Sequence, residues 1–135
     1  MSIFVMWDNE EKSAIRMHFQ GDWKWTDFDR AVDEIAVLSE TVPHTVDVLL
    51  IKSHKKLLPE GTPVTHFLRM FSLRPCNMGR LVVVGDNLED RFGMTLYAAV
   101  MRSNKNLTNL IQFVDTMPEA YQLLAGIAHN TAKTA

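Results

Sequence analysis

Apolar and polar residues alternate over Ile15-Arg16-Met17-His18-Phe19, the period of a strand with one covered face. Ile3 to Trp7 is a shorter apolar run ahead of it, and Asp8-Asn9-Glu10 between them predicts a turn. The close spacing predicts an antiparallel hairpin at the edge of a sheet. Gly21 breaks the alternation, and the period then lengthens. Phe28, Val32, Ile35 and Ser39, with Ala31, Ala36 and Leu38 beside them, make one helical face. Thr26 is the expected N-cap, with Asp27 and Asp29 near the positive end of the helix dipole. Pro43 disfavours helix at Val42 and ends the pattern.

The rest of the chain repeats one motif of strand and helix. Val46 to Ile51 is a nearly continuous apolar run, as in a strand covered on both faces. A polar, basic loop from Lys52 to Gly61 follows. Thr62 is then placed to cap a helix with Pro63 at its first position and Val64, Phe67, Leu68 and Phe71 on one face. Leu81 to Gly85 predicts another buried strand. Asp86 or Asn87 caps a helix carrying Leu88, Phe92, Leu96, Ala99 and Val100. Leu110 to Val114 predicts the last strand, and Thr116-Met117-Pro118-Glu119 a helix start with its capping box. Ala120, Leu123, Leu124 and Ile127 are the buried side of that helix.

The expected order is β-β-α-β-α-β-α-β-α. It describes an α/β fold whose five-stranded sheet is mixed but mostly parallel, with an antiparallel edge and about four helices. Residues 1–128 form one domain in this reading, and 129–135 a frayed tail. At 135 residues, 47% hydrophobic and 22% charged, the chain suits one domain with its own core. Its net charge of -2 and pI near 6.2 create no basic field for nucleic acid. No apolar stretch approaches the roughly 20 residues of a membrane-spanning helix. The first twelve residues lack the pattern of a signal peptide. Cys76 is the single cysteine, so a reducing, cytoplasmic setting is expected.

The chain carries few residues in patterns that chemistry requires. No phosphate-cradling glycine motif accompanies Gly85. His18, His44, His54, His66 and His129 have neither metal-ligand spacing nor cysteine partners, and are expected to be solvated or to lie beside helix caps. No nucleophile elbow is present, and Cys76 reads as a half-buried, inert thiol. Asp27, Asp29, Asp33 and Glu34 read as cap and solubility residues. The chain is expected not to be an enzyme and to use no cofactor or metal.

Three features point to binding instead. Lys52-Ser53-His54-Lys55-Lys56 follows a buried strand and precedes a helix start, where open α/β sheets take ligands and helix N-termini favour anions. Gly61 and Thr62 close that candidate site. In Trp23-Lys24-Trp25 one indole is expected to pack at the helix–sheet junction and the other to lie nearer solvent. Trp23 therefore joins Met6 and Trp7 of the edge strand as a candidate for a partner or dimer face.

The element order, with a polar loop entering a capped helix after the third strand, resembles the STAS fold. More closely, the chain resembles the bacterial SpoIIAA-like (STAS-like) family of small stand-alone domains. The likeness is carried by Gly21-Asp22-Trp23-Lys24-Trp25-Thr26-Asp27-Phe28, Val42-Pro43-His44-Thr45-Val46-Asp47, Leu57-Leu58-Pro59-Glu60-Gly61, Gly79-Arg80-Leu81-Val82-Val83-Val84-Gly85 and Phe113-Val114-Asp115-Thr116, which together cover most of the chain.

The resemblance implies a regulatory or protein-binding module, such as the anti-sigma factor antagonists, which are switched by phosphorylation at the start of the helix after strand three. Other members sit on the cytoplasmic side of anion transporters, and some relatives bind small or lipid-like ligands. The usual Asp-Ser-x-Gly phosphoacceptor is replaced here by Leu58-Pro59-Glu60-Gly61-Thr62. Thr62 is the nearest hydroxyl, and its expected capping role accounts for it.

A protein partner or self-association is therefore the leading expectation. The alternative is a small-ligand or lipid carrier with an apolar pocket between helices and sheet, lined by Met70, Phe71, Phe92, Met94 and Met101. A small anion is a further possible ligand, and an enzyme of unrecognised type ranks third.

Overall fold

A computed structural model describes residues 3–52, 59, 61–85, 91–103 and 110–134. Its elements follow the expected order: β1 (Ile3–Trp7), β2 (Ala14–Phe19), α1 (Trp25–Glu40), β3 (Val46–Lys52), α2 (Pro63–Ser72), β4 (Met78–Val84), α3 (Arg91–Ser103), β5 (Ile111–Val114) and α4 (Met117–Thr134). The strands lie side by side in the order β1-β2-β3-β4-β5. β1 pairs antiparallel with β2, and every later pair is parallel. This is the mixed, mostly parallel α/β sheet that the alternating pattern predicts.

That strand order decides where the helices go. Each crossover from β2 to β5 steps one strand in the same direction, so right-handed connections put α1, α2 and α3 on one face. One core forms there around Ile15, Met17, Phe28, Val48, Leu50, Phe67, Val83 and Leu96. The helix after the last strand has no strand to return to and packs on the other face. There Ala120, Met117, Leu123 and Leu124 meet Leu49, Ile51, Val82 and Val84. Alternate residues of β3 thus enter opposite cores, which is why that strand reads as unbroken apolar sequence.

Several boundaries differ from expectation for local reasons. α1 begins at Trp25, and its N-cap is Lys24 rather than Thr26. The Lys24 backbone N–H donates to the Asp27 carboxylate at 3.0 Å, so Asp27 still closes the helix start. β4 begins at Met78, three residues before the apolar run. Its first residues pair across a register shift between Val46 and Val48. Asp47 compensates there, its carboxylate accepting the Arg80 N–H at 2.7 Å. Burial pushes the Asp47 carboxyl up from its ordinary value, and the Arg80 N–H pulls it partly back.

Thr116 caps α4 as expected, its hydroxyl accepting the Glu119 N–H at 3.4 Å. The helix is continuous to Thr134, so the backbone expected as a tail from 129 is helical. Cys76 is exposed rather than half-buried, because it occupies a turn that its neighbour Asn77 holds down. The Asn77 amide donates to the Ser39, Val42 and His44 carbonyls at 2.8, 3.2 and 3.0 Å. The expected caps Asp86 and Asn87, and Leu88, lie outside the described residues.

Candidate binding site at the carboxyl ends of the strands

β3 ends at Lys52, half-buried at the carboxyl edge of the parallel sheet. Beside it β4 ends at Val84, and Gly85 follows in left-handed conformation at φ +84°. A Cβ at Gly85 would lie 2.9 Å from the Lys52 carbonyl, so only glycine allows these two strand ends this approach. Ser53, His54, Lys55 and Lys56 lie outside the described residues. Gly61 and Thr62 mark the far side of the loop and lead into α2.

The loop's far side is fixed by an indole. Trp25 donates its Nε1–H to the Pro59 carbonyl at 3.3 Å. Gly61, at φ +129°, lies close against the same ring: a Cβ there would be 3.1 Å from Trp25 Cδ1 and 3.4 Å from Nε1. Thr62 precedes α2 in extended conformation, but its side chain makes no capping hydrogen bond, contrary to expectation. Pro63 removes one N–H at the helix start, and the Thr65 N–H is taken by the Thr62 backbone carbonyl at 3.1 Å. The exposed Thr62 hydroxyl is therefore not spent on its own helix.

Trp23 and Trp25 are both buried, at 8% and 6% exposure. This corrects the expectation that one indole lies near solvent, and removes Trp23 from the candidate partner face. The reason is a cluster of rings joining sheet to helices. Trp23 meets Phe19 and Trp25 edge-on at 5.0 Å each, and Trp25 meets Phe28 and Phe67 at 5.4 and 5.5 Å. Such edge-to-face pairs add specific geometry to the area they bury.

The residue that sequence reasoning missed is His66. Its ring stacks on Trp25 at 4.6 Å with 4° between planes. Its Nδ1 lies 3.0 Å from both carboxylate oxygens of Asp29. Arg69 reaches Asp33 at 2.9 Å and Asp29 at 3.7 Å. Asp29 and Asp33 thus bind α2 to α1 instead of serving only as solubilising charge. A signal was available: Trp25, Asp29 and Asp33 recur at i, i+4 and i+8 on one helix, and His66 and Arg69 at i, i+3 on the next.

Elsewhere the expectations divide. On β1, Met6 and Phe4 are 46% and 37% exposed, on the face that α4 covers farther along the sheet. Trp7 instead packs toward the α1 side, with the Lys12 ammonium 5.9 Å from its ring centre. Tyr121 of α4 ties that open face to the hairpin. Its hydroxyl donates to Asp8 at 2.7 Å and accepts from Arg16 at 2.8 Å. Hydrogen bonds to Tyr121 and Asp8 hold the Arg16 guanidinium still more firmly protonated.

An apolar cavity of about 30 Å³ lies at the other, amino end of the sheet, among Met17, Val32, Met70, Phe71, Met78 and Leu81. Met70 and Phe71 line it as expected. Met94 and Met101 do not: they are 54% and 46% exposed, because they lie off the buried face of α3 formed by Leu96, Ala99 and Val100. The Phe92 side chain lies outside the described residues.

Among the described residues no group of three or more His, Cys, Asp or Glu is arranged to hold a metal. None of their helices is long and apolar enough to cross a membrane. No protein-family model matches the chain, and no curated protein and no solved structure matches it.

Proposed function

We propose that the protein is a non-enzymatic protein-interaction or regulatory module of STAS-like type, whose binding face is the loop from Lys52 to Thr62. One observation carries the reading: the loop's far side is held against the Trp25 indole through Pro59 and Gly61, next to an exposed Thr62 hydroxyl that its helix does not use. A loop anchored at Pro59 and Gly61 near the carboxyl ends of parallel strands, and basic in sequence, suits an acidic partner surface. The element order adds support. Met6 and Phe4 are a second candidate contact, for self-association.

The test is charge reversal. Lys55→Glu with Lys56→Glu should release a partner that co-purifies from the source cells, with thermal stability unchanged. Retention of the same partner by the double variant would refute the assigned face. A phosphate mapped to Thr62 on the native protein would add a switch to it.

The amino-end cavity favours a second reading, a carrier for a small apolar or lipid-like ligand. Its volume limits that reading, since about 30 Å³ admits one or two water-sized groups. A lipid tail would have to displace Met17, Met70 and Met78, whose unbranched side chains adapt most readily. Delipidated protein that gains no thermal stability from fatty acids or phospholipids would exclude it.

A further inference from the structure

We propose that His66 is a proton-operated latch on the carboxyl-end loop: protonation of its imidazole tightens the hold of Trp25 on Pro59 and Gly61. The inference concerns regulation of the binding face assigned above and rests on that reading for its purpose, though not for its chemistry.

The latch is a chain of contacts. Asp29 accepts from His66 Nδ1 at 3.0 Å, His66 lies flat on Trp25, and Trp25 meets the loop through its Nε1–H on Pro59 and through its Cδ1 and Nε1 beside Gly61. A carboxylate can only accept, so Nδ1 carries a proton whether the ring is neutral or charged. The second proton therefore goes to Nε2. Gaining it changes both flanking contacts in the same direction. The bond to Asp29 becomes charge-assisted at both ends, and the stack on the indole becomes a cation–π contact.

Among the described residues, the charged groups that meet this imidazole are Asp29 and, through Asp29, Arg69 and Asp33. Arg69 is the competitor, because its positive charge opposes a second one nearby. Distance decides the contest: Arg69 lies 2.9 Å from Asp33 and 3.7 Å from Asp29. Its charge is therefore spent mainly on Asp33, leaving Asp29 to the imidazole. The other rings packed on Trp25, those of Trp23, Phe28 and Phe67, are uncharged.

Hydrogen exchange of the Trp25 Nε1–H and the Gly61 amide, followed by NMR on the native protein and on His66→Gln, tests it. After correction for intrinsic exchange, protection of both protons in the native protein should rise about two- to five-fold from roughly pH 8 to pH 5, the worth of one cation–π contact. In His66→Gln it should stay level across that range. Asp29→Asn, which keeps an acceptor but not the charge, should show a reduced rise. An equal rise in native protein and His66→Gln would overturn the latch, as would an imidazole that titrates while both protons keep constant protection. The measurement uses the protein alone, so its failure leaves the partner-capture result untouched, and the reverse also holds.

Discussion

Replacing Trp25 with Phe separates a ring that merely fills the core from one that fixes the loop. The substitution keeps an aromatic side chain at a site only 6% exposed. It removes the indole N–H that meets the Pro59 carbonyl at 3.3 Å. That bond is long, so its share belongs near the lower end of about 0.5–1.5 kcal/mol. It also removes much of the surface on which His66 stacks, worth about 0.5–1 kcal/mol. The void left by the smaller ring adds about 1 kcal/mol, the scale of deleting a buried methylene or two.

The sum is about 2 kcal/mol. In urea this lowers the unfolding midpoint by about 1 M with an unchanged slope, followed by circular dichroism. Most of the loss falls on contacts with the loop and with α2, so the loop should open first. Trypsin cutting after Lys52, Lys55 or Lys56 under native conditions should accelerate by roughly 10- to 30-fold. A lowered midpoint with unchanged cutting there would show that Trp25 serves the core alone, and would refute its part in holding the loop.

Two further predictions concern the register shift on β3. Burial raises the folded-state affinity of Asp47 for its proton, so its contribution to stability is fully present below its ordinary value of 3.8 and is lost as pH rises through the folded value. Asp47→Asn keeps an acceptor for the Arg80 N–H and should match or exceed native stability at neutral pH. Asp47→Ala strands that N–H and should cost about 1 kcal/mol; equal stability of the two variants by urea unfolding would contradict this account. Gly79→Ala should destabilise by about 1–3 kcal/mol, because its Cβ would sit 2.8 Å from Thr45 Cγ2 and closer still to the Asp47 carboxylate. A loss below about 0.5 kcal/mol would mean that the strand shifts freely at this point.

The secondary structure was legible because its signals are local. The alternation of β2, the apolar run of β3 and the period of α1 each lie within a single stretch of chain, where side-chain spacing alone selects strand or helix. Helix starts were less secure. Thr26 and Thr62 are both good caps by type, yet the N-cap of α1 falls two residues earlier, at Lys24, and Thr62 makes no side-chain capping bond. In the first case burial of two indoles outweighs the preference of a cap.

The candidate site divides the same way. Its location, at the end of β3 and before α2, followed from strand order and general rules for α/β sheets. What holds it did not. Asp29 and His66 are 37 residues apart, and the spacing within each helix shows which side chains share a face but not which face that one meets. They meet because β2 and β3 are parallel neighbours and β3 and β4 are too, so the helices that join them lie side by side on one face. By itself the sequence determined which segments are strands and helices, and which sides of them avoid water. Only the tertiary structure decided which faces touch. Register and crossover hand join residues far apart in the chain, and local periodicity carries no record of that pairing.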